Sequence, residues 1–250
     1  MNSASPDVQF SAKIMMNRPA VSLRDRLKFL WIEFKISSPS AIWLLPLLTA
    51  GGMLLLLSDN ISTEPAEKLF QISIVIEIIF PLVIMFVANG LILREQEENQ
   101  LDLLGTRSSL AVLYMRRLVV LLIVGTVWLC ILLLIYHFFY LPLSLGMMIL
   151  TSLSTTLALV GISNFVSLLL KEINAGYLIG TLWWAFCLIS HRNAYVILGP
   201  RFYLFGLWFS LREDIEIENF ILNKLALGGI GLVFIVVSVL LLRSRERYFL

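Results

Sequence analysis

Long apolar runs separated by short charged stretches dominate the chain. Six of them reach or approach the roughly 20 residues that cross the hydrocarbon core of a bilayer. They are 41–57, 69–93, 118–140, 145–170, 175–190 and 225–242, the fifth being the shortest. The polar stretches between them carry further pattern. In 22–36, Leu23, Leu27, Leu30, Trp31 and Phe34 recur at helical spacing while Arg24, Lys28 and Lys35 decorate other faces. Ser22 and Asp25 make a capping start, and Ser37-Ser38-Pro39 ends the segment. A basic helix with a Leu/Trp/Phe stripe suits the headgroup layer; a cytoplasmic helix packed on protein is the alternative. Residues 1–20 predict a flexible N-terminus. Before the last run, Tyr195, Gly199-Pro200, Phe202, Tyr203, Phe205, Trp208 and Phe209 form an aromatic stretch too interrupted to span. Such a stretch at the membrane–water boundary predicts a short broken helical pair, or else a plain aromatic anchor.

The pattern predicts an all-α integral membrane protein of about six transmembrane helices, one domain over 21–250 behind the N-terminus. Composition sharpens this by exclusion. Hydrophobic residues are 59% of the chain and charged residues 14%, against about 45–50% and about 25% in soluble domains. A soluble fold of 250 residues could not bury that much apolar surface. The first run begins too late for a cleaved secretory signal, so the first span is expected to serve as its own insertion signal.

Charge distribution orients the chain. Of 19 Lys and Arg residues, only Lys68, Arg192, Arg201, Arg212 and Lys224 fall on the outer side when the N-terminus is inside. The positive-inside rule therefore predicts both termini in the cytoplasm.

Motifs for chemistry are missing. No G-x-x-x-x-G-K-[ST] loop cradles a phosphate, so the chain is not expected to hydrolyse ATP, and no G-x-S-x-G or H-E-x-x-H is found. Cys130 and Cys187 lie in apolar runs, and neither they nor His137 and His191 have metal-ligand spacing. An enzyme is disfavoured, no cofactor is expected on this chain, and nothing suggests nucleic acid as a partner.

A few polar groups do lie within the runs. Glu77 is the one carboxylate well inside an apolar stretch, and such a group is a functional candidate because burying it is costly. A hydrogen-bonded carboxyl packed against another span is the structural alternative. Pro81, one turn on, frees a carbonyl and predicts a kink. Asn89 on the same run and Asn164 on the fourth are, with Glu77, candidates for a translocation path. Ser152, Thr156, Ser163 and Ser167 share a stripe beside Asn164 that favours helix packing, as does Gly176-x-x-x-Gly180, which also suits dimerisation.

The loop 94–108 is the most informative stretch. It leaves the membrane as Arg94-Glu95-Gln96-Glu97-Glu98, continues through Leu101-Asp102-Leu103-Leu104, turns at Gly105-Thr106, restarts at Ser108-Ser109 and reaches Arg116-Arg117 at re-entry. On pattern alone it is a solvated helical hairpin or a docking elbow. In these residues the sequence resembles the permeases of the type 2 ATP-binding-cassette exporter family. It departs at Asn99, where glycine is common, and at Arg107, where proline is common. The resemblance extends to the interfacial helix, six spans and the broken pair.

The resemblance implies that the loop is a coupling helix seated in a groove of a separate nucleotide-binding ATPase subunit. Leu101, Leu103 and Leu104 would make apolar contacts there. Glu95, Glu97, Glu98, Asp102 and Thr106 complete the ATPase-coupling set. ATP and Mg would belong to the partner, and a second permease copy or a related permease would complete the path through the lipid bilayer. A bacterial plasma membrane is the implied location. A secondary transporter, a membrane-embedded enzyme and a regulatory or immunity-type membrane protein remain as alternatives.

Overall fold

The computed structural model describes residues 72–97, 109–139, 144–190 and 217–249, together with Arg24, Leu27, Lys28, Pro142 and Leu207. Among these residues the fold is all-helical. A π-helical turn, Ile74–Ile79, leads into α1 (Phe80–Glu97). Then come α2 (Leu110–Phe139), α3 (Leu145–Leu170), α4 (Ile173–Ser190) and α5 (Ile217–Phe249). Arg24, Leu27 and Lys28 are helical and exposed. The rest of the expected interfacial helix and the expected span 41–57 lie outside the described residues.

Four stretches are long and apolar enough to cross a membrane: Ile74–Leu91, Leu110–Phe139, Leu145–Leu170 and Phe220–Ser244. They correspond to the second, third, fourth and sixth apolar runs, so the protein has the helices of an integral membrane protein. The fifth run forms α4, whose apolar part, Ile173–Ile189, is shorter. Helix is the form these runs must take, because lipid offers no partner for a backbone N–H or C=O and a helix satisfies each one internally.

Helix α2 starts at Leu110, in keeping with the restart expected at Ser108-Ser109, and carries Arg116 and Arg117 ahead of the apolar run; the Ser109 carbonyl accepts from Leu113 N–H at 3.0 Å at its first turn. Helix α5 starts at Ile217, earlier than the apolar run at 225, and so includes Lys224. There helical geometry continues through a charged residue that hydropathy alone treats as loop.

Helix α3 is the centre of the bundle, packed on α5, α1 and α4. Its buried face is hydroxyl-rich: Thr151, Ser152, Ser154, Thr155, Thr156 and Ser163 are all buried. Several bond back one turn, as Thr151 Oγ1 does to the Met147 carbonyl at 2.8 Å and Ser154 Oγ to Leu150 at 2.7 Å. A hydroxyl satisfied this way can be buried without a partner on another helix. Small residues then let backbones meet. A Cβ added at Gly161 would stand 2.5 Å from the Gly231 carbonyl oxygen, so α3 and α5 touch backbone to backbone there. The outward faces are apolar instead, with Val112, Val119, Ile123 and Val127 exposed along one stripe of α2. Polar inside and apolar outside is the arrangement expected when the solvent is lipid.

Helix α3 ends at Lys171, whose φ of 60° is left-handed, with its N–H returned to the Ser167 carbonyl. Glu172 N–H reaches the same carbonyl at 3.1 Å. This tight reversal starts α4 at Ile173, alongside α3.

Candidate functional site

Two buried polar clusters tie the helices together, one at the start of α1 and α5 and the other towards the end of α1 and α3. The first is built on the π turn. In it Phe80 N–H returns to Val75, five residues back. The next residue, Pro81, has no N–H to give, so the Ile76 carbonyl loses the donor that this register would supply. Ser152 Oγ of α3 donates to that carbonyl at 3.0 Å. Trp184 Nε1 of α4 donates to the Ile78 carbonyl at 3.2 Å. The irregularity next to Pro81 is a π turn, and its Ile76 and Ile78 carbonyls are met by side chains of two neighbouring helices. Turns of this kind are frequent at functional sites.

Glu77 lies inside that turn with no exposed surface, and Lys224, one helical turn beyond Phe220 in α5, is equally buried. They are the two fully buried ionisable side chains of this cluster. Lys224 Nζ also donates to the Leu207 carbonyl at 3.3 Å and sits 5.4 Å from the centroid of the Phe220 ring, within the range of a cation–π contact. Thr155 Oγ1 of α3 donates to the same Leu207 carbonyl at 3.3 Å. Leu207 is fully buried. It is the one described residue of the expected broken pair, whose remainder lies outside the described residues. A backbone carbonyl at that depth requires donors of this kind.

The second cluster joins α1, α3 and α4. Asn89 accepts from Ser167 Oγ at 2.7 Å and donates through Nδ2 to the Ile173 carbonyl at 3.3 Å. Ser163 Oγ donates to the Gly176 carbonyl at 2.8 Å. Gly176 is required here, because a Cβ on it would lie 2.5 Å from the Ser163 carbonyl oxygen, 2.7 Å from Asn89 Nδ2 and closer still to Ser167 Oγ. At Gly180 the obstacle would be Met85 Sδ. The Gly176-x-x-x-Gly180 face is therefore occupied within the chain. Beside it Asn164 Nδ2 donates to Tyr114 Oη at 2.9 Å, joining α3 to α2. Arg117 Nη1 of α2 donates to the Leu91 carbonyl of α1 at 2.8 Å.

The three residues taken from sequence as path candidates do not meet. Glu77 belongs to the first cluster, while Asn89 and Asn164 belong to the second, and both amides lie in hydrogen bonds between helices. Twelve residues of helix, about 18 Å at ~1.5 Å per residue, separate Glu77 from Asn89. Glu95 and Glu97 lie on the last turns of α1. Glu98, Leu101, Asp102, Leu103, Leu104 and Thr106 lie outside the described residues. Sequence reasoning missed Lys224, which it assigned to an outer loop. A lysine flush against an apolar run was the available signal. It also missed Thr155, Tyr114 and Trp184, whose partners come from distant helices. Among the described residues no group of three or more His, Cys, Asp or Glu is placed to hold a metal ion. The chain matches no known family model, no curated protein and no solved structure.

Proposed function

We propose that the chain is the membrane permease of an ATP-driven exporter whose ATPase is a separate subunit, with six spans and both termini in the cytoplasm. The observation that carries this reading is the continuity of α1. It runs without a break from the buried bundle through Arg94, Glu95, Gln96 and Glu97, where the loop resembling a coupling helix begins. Arg117 fastens α2 to α1 at Leu91, near the end of the apolar run 69–93. A force on the loop would therefore reach both helices together, and through Asn89 it would reach α3 and α4. On this reading Glu95, Glu97, Glu98 and Asp102 face the ATPase with Leu101, Leu103, Leu104 and Thr106. A second permease completes the path, and the plasma membrane is the site of action.

Purification from native membranes in mild detergent tests this, comparing wild type with Leu103→Arg plus Leu104→Arg. The expected result is a stoichiometric nucleotide-binding subunit and ATP hydrolysis with wild type. The variant should insert normally and lose both. A wild type that brings down no ATPase, or a variant that retains it, counts against the reading.

The buried Glu77 and Lys224 side chains favour a second reading, a self-sufficient carrier that uses intramembrane ionisable groups for coupling ions. Transport into proteoliposomes driven by an ion gradient, with no ATPase present, would select it.

A further inference from the structure

The outward face of the first described span slips by one residue at the π turn. Among residues 72–91, those not buried are Ile74, Ile79, Leu82, Phe86 and Gly90, and every other residue is buried. Steps of three and four residues keep a row on one helical face, and from Ile79 to Gly90 the row has only such steps. From Ile79 back to Ile74 the step is five, and it falls on the π turn Ile74–Ile79. An α turn there would put Val75 in the outward row in place of Ile74, with Ile72 a further turn back.

Hydrogen bonding shows how the register is chosen. Pro81 has no N–H, so it leaves one carbonyl without a backbone donor in either register. In the π register that carbonyl is Ile76, five residues back; in an α register it is Glu77, four back. Ser152 Oγ of α3 donates to Ile76 at 3.0 Å, and Phe80 N–H returns to Val75 rather than to Ile76. The residues that would change places, Ile72, Ile74 and Val75, are all branched aliphatics, so lipid accepts either face. Ser73 and Glu77, the polar residues of the segment, are both buried. Four residues apart, they share a face that stays on the bundle side in both registers.

We infer that the π turn is a register switch: losing or regaining its surplus residue turns residues 72–75 about the helix axis by about 100°, one residue's step, and Ser152 holds it in the π form. The rotation exposes no polar group to lipid, and neither a partner subunit nor a transported substrate is needed for it.

A nitroxide attached at Ile74→Cys or Val75→Cys, in a chain also carrying Cys130→Ser and Cys187→Ala, reports outward exposure through its relaxation by molecular oxygen, which concentrates in lipid. In lipid nanodiscs the label at 74 is the more accessible. Ser152→Ala shifts the register ratio about fivefold towards the α form, as expected for one hydrogen bond between membrane helices, so accessibility falls at 74 and rises at 75. Removing Ile79 deletes the surplus residue. Ile74 then keeps its outward place two α turns before Leu82, and Pro81 still leaves the Ile76 carbonyl to Ser152. In that shortened chain Ser152→Ala leaves both accessibilities unchanged. Unchanged accessibilities after Ser152→Ala in the unshortened chain overturn the switch. Equal changes with and without Ile79 also overturn it, because Ser152 would then act through packing alone. Should the shortened chain fail to accumulate, Pro81→Ala takes its place, since an N–H at 81 leaves no carbonyl unmet in either register. Insensitivity to Ser152→Ala in that background supports the switch; an undiminished response refutes it.

Discussion

Ser152 Oγ donates to the Ile76 carbonyl at 3.0 Å, the carbonyl to which Pro81, just past the π turn, has no N–H to offer. The side chain of one helix thus completes the backbone of another. Ser152→Ala leaves a buried carbonyl unmet and is expected to cost about 1 kcal/mol, within the range measured for hydrogen bonds between membrane helices. Pro81→Ala restores an N–H at that position, so in its background the loss from Ser152→Ala should shrink. A double-mutant cycle on unfolding in detergent checks this. Additive losses would mean that Ser152 does not stand in for the missing N–H.

The α3–α5 contact is set by backbone rather than by side chains. Gly161→Ala places a methyl group 2.5 Å from the Gly231 carbonyl oxygen. A main-chain atom cannot rotate aside, so the helices must separate, with an expected loss of about 1–3 kcal/mol. Gly229 is the control on the facing helix α5, with nothing within 4 Å of an added Cβ. Gly229→Ala should be neutral, or gain up to ~1 kcal/mol from helix propensity. Thermal midpoints of the two variants in detergent should fall on opposite sides of wild type or differ widely.

Gly176 and Gly180 are spaced alike but predict unequal losses. Gly176→Ala runs into Ser167 Oγ, the Ser163 carbonyl and Asn89 Nδ2 together, and so attacks the Ser167–Asn89 and Asn89–Ile173 hydrogen bonds between helices. Gly180→Ala meets Met85 Sδ first, on a flexible side chain that can re-pack. The first substitution should lower the unfolding midpoint clearly more than the second. Equal losses would refute the assignment of Gly176 to the Asn89–Ser167 joint.

Arg117 makes a charge-assisted bond to the Leu91 carbonyl at 2.8 Å, and bonds of that class contribute about 1.5–3 kcal/mol. Arg117→Met keeps much of the apolar stem but loses the donor. Backbone amides of the last turns of α1, up to Glu97, should then exchange with solvent faster, while those of α3 stay protected. Unchanged exchange at the end of α1 would show that Arg117 does not secure it.

Much of the first-level architecture was legible in the pattern of residues. The run 145–170 is the helix Leu145–Leu170 without adjustment, because a bilayer dictates both the length and the apolarity of whatever crosses it. Pro81 announced an irregularity in the second run, and the hydroxyl stripe of Ser152, Ser163 and Ser167 announced close helix packing. Each of those signals is local: a missing N–H or a small polar side chain carries its meaning without knowledge of the neighbours.

Lys224 shows where local signals stop. Beside an apolar run it reads as the edge of a loop, since a lone ammonium has no place in hydrocarbon. Only the fold brings the Leu207 carbonyl to it, beside the Phe220 ring one turn back on its own helix, and with those partners the helix continues through it. The same holds for Gly176-x-x-x-Gly180, whose spacing says that something packs closely but not whether it is a second chain or this one. Hydropathy and hydrogen-bonding capacity are properties of single residues, so the pattern alone marked the apolar helices among the described residues. Tertiary structure decided which polar groups meet, because the stability of a buried charge or carbonyl depends on partners supplied by helices far apart in the chain.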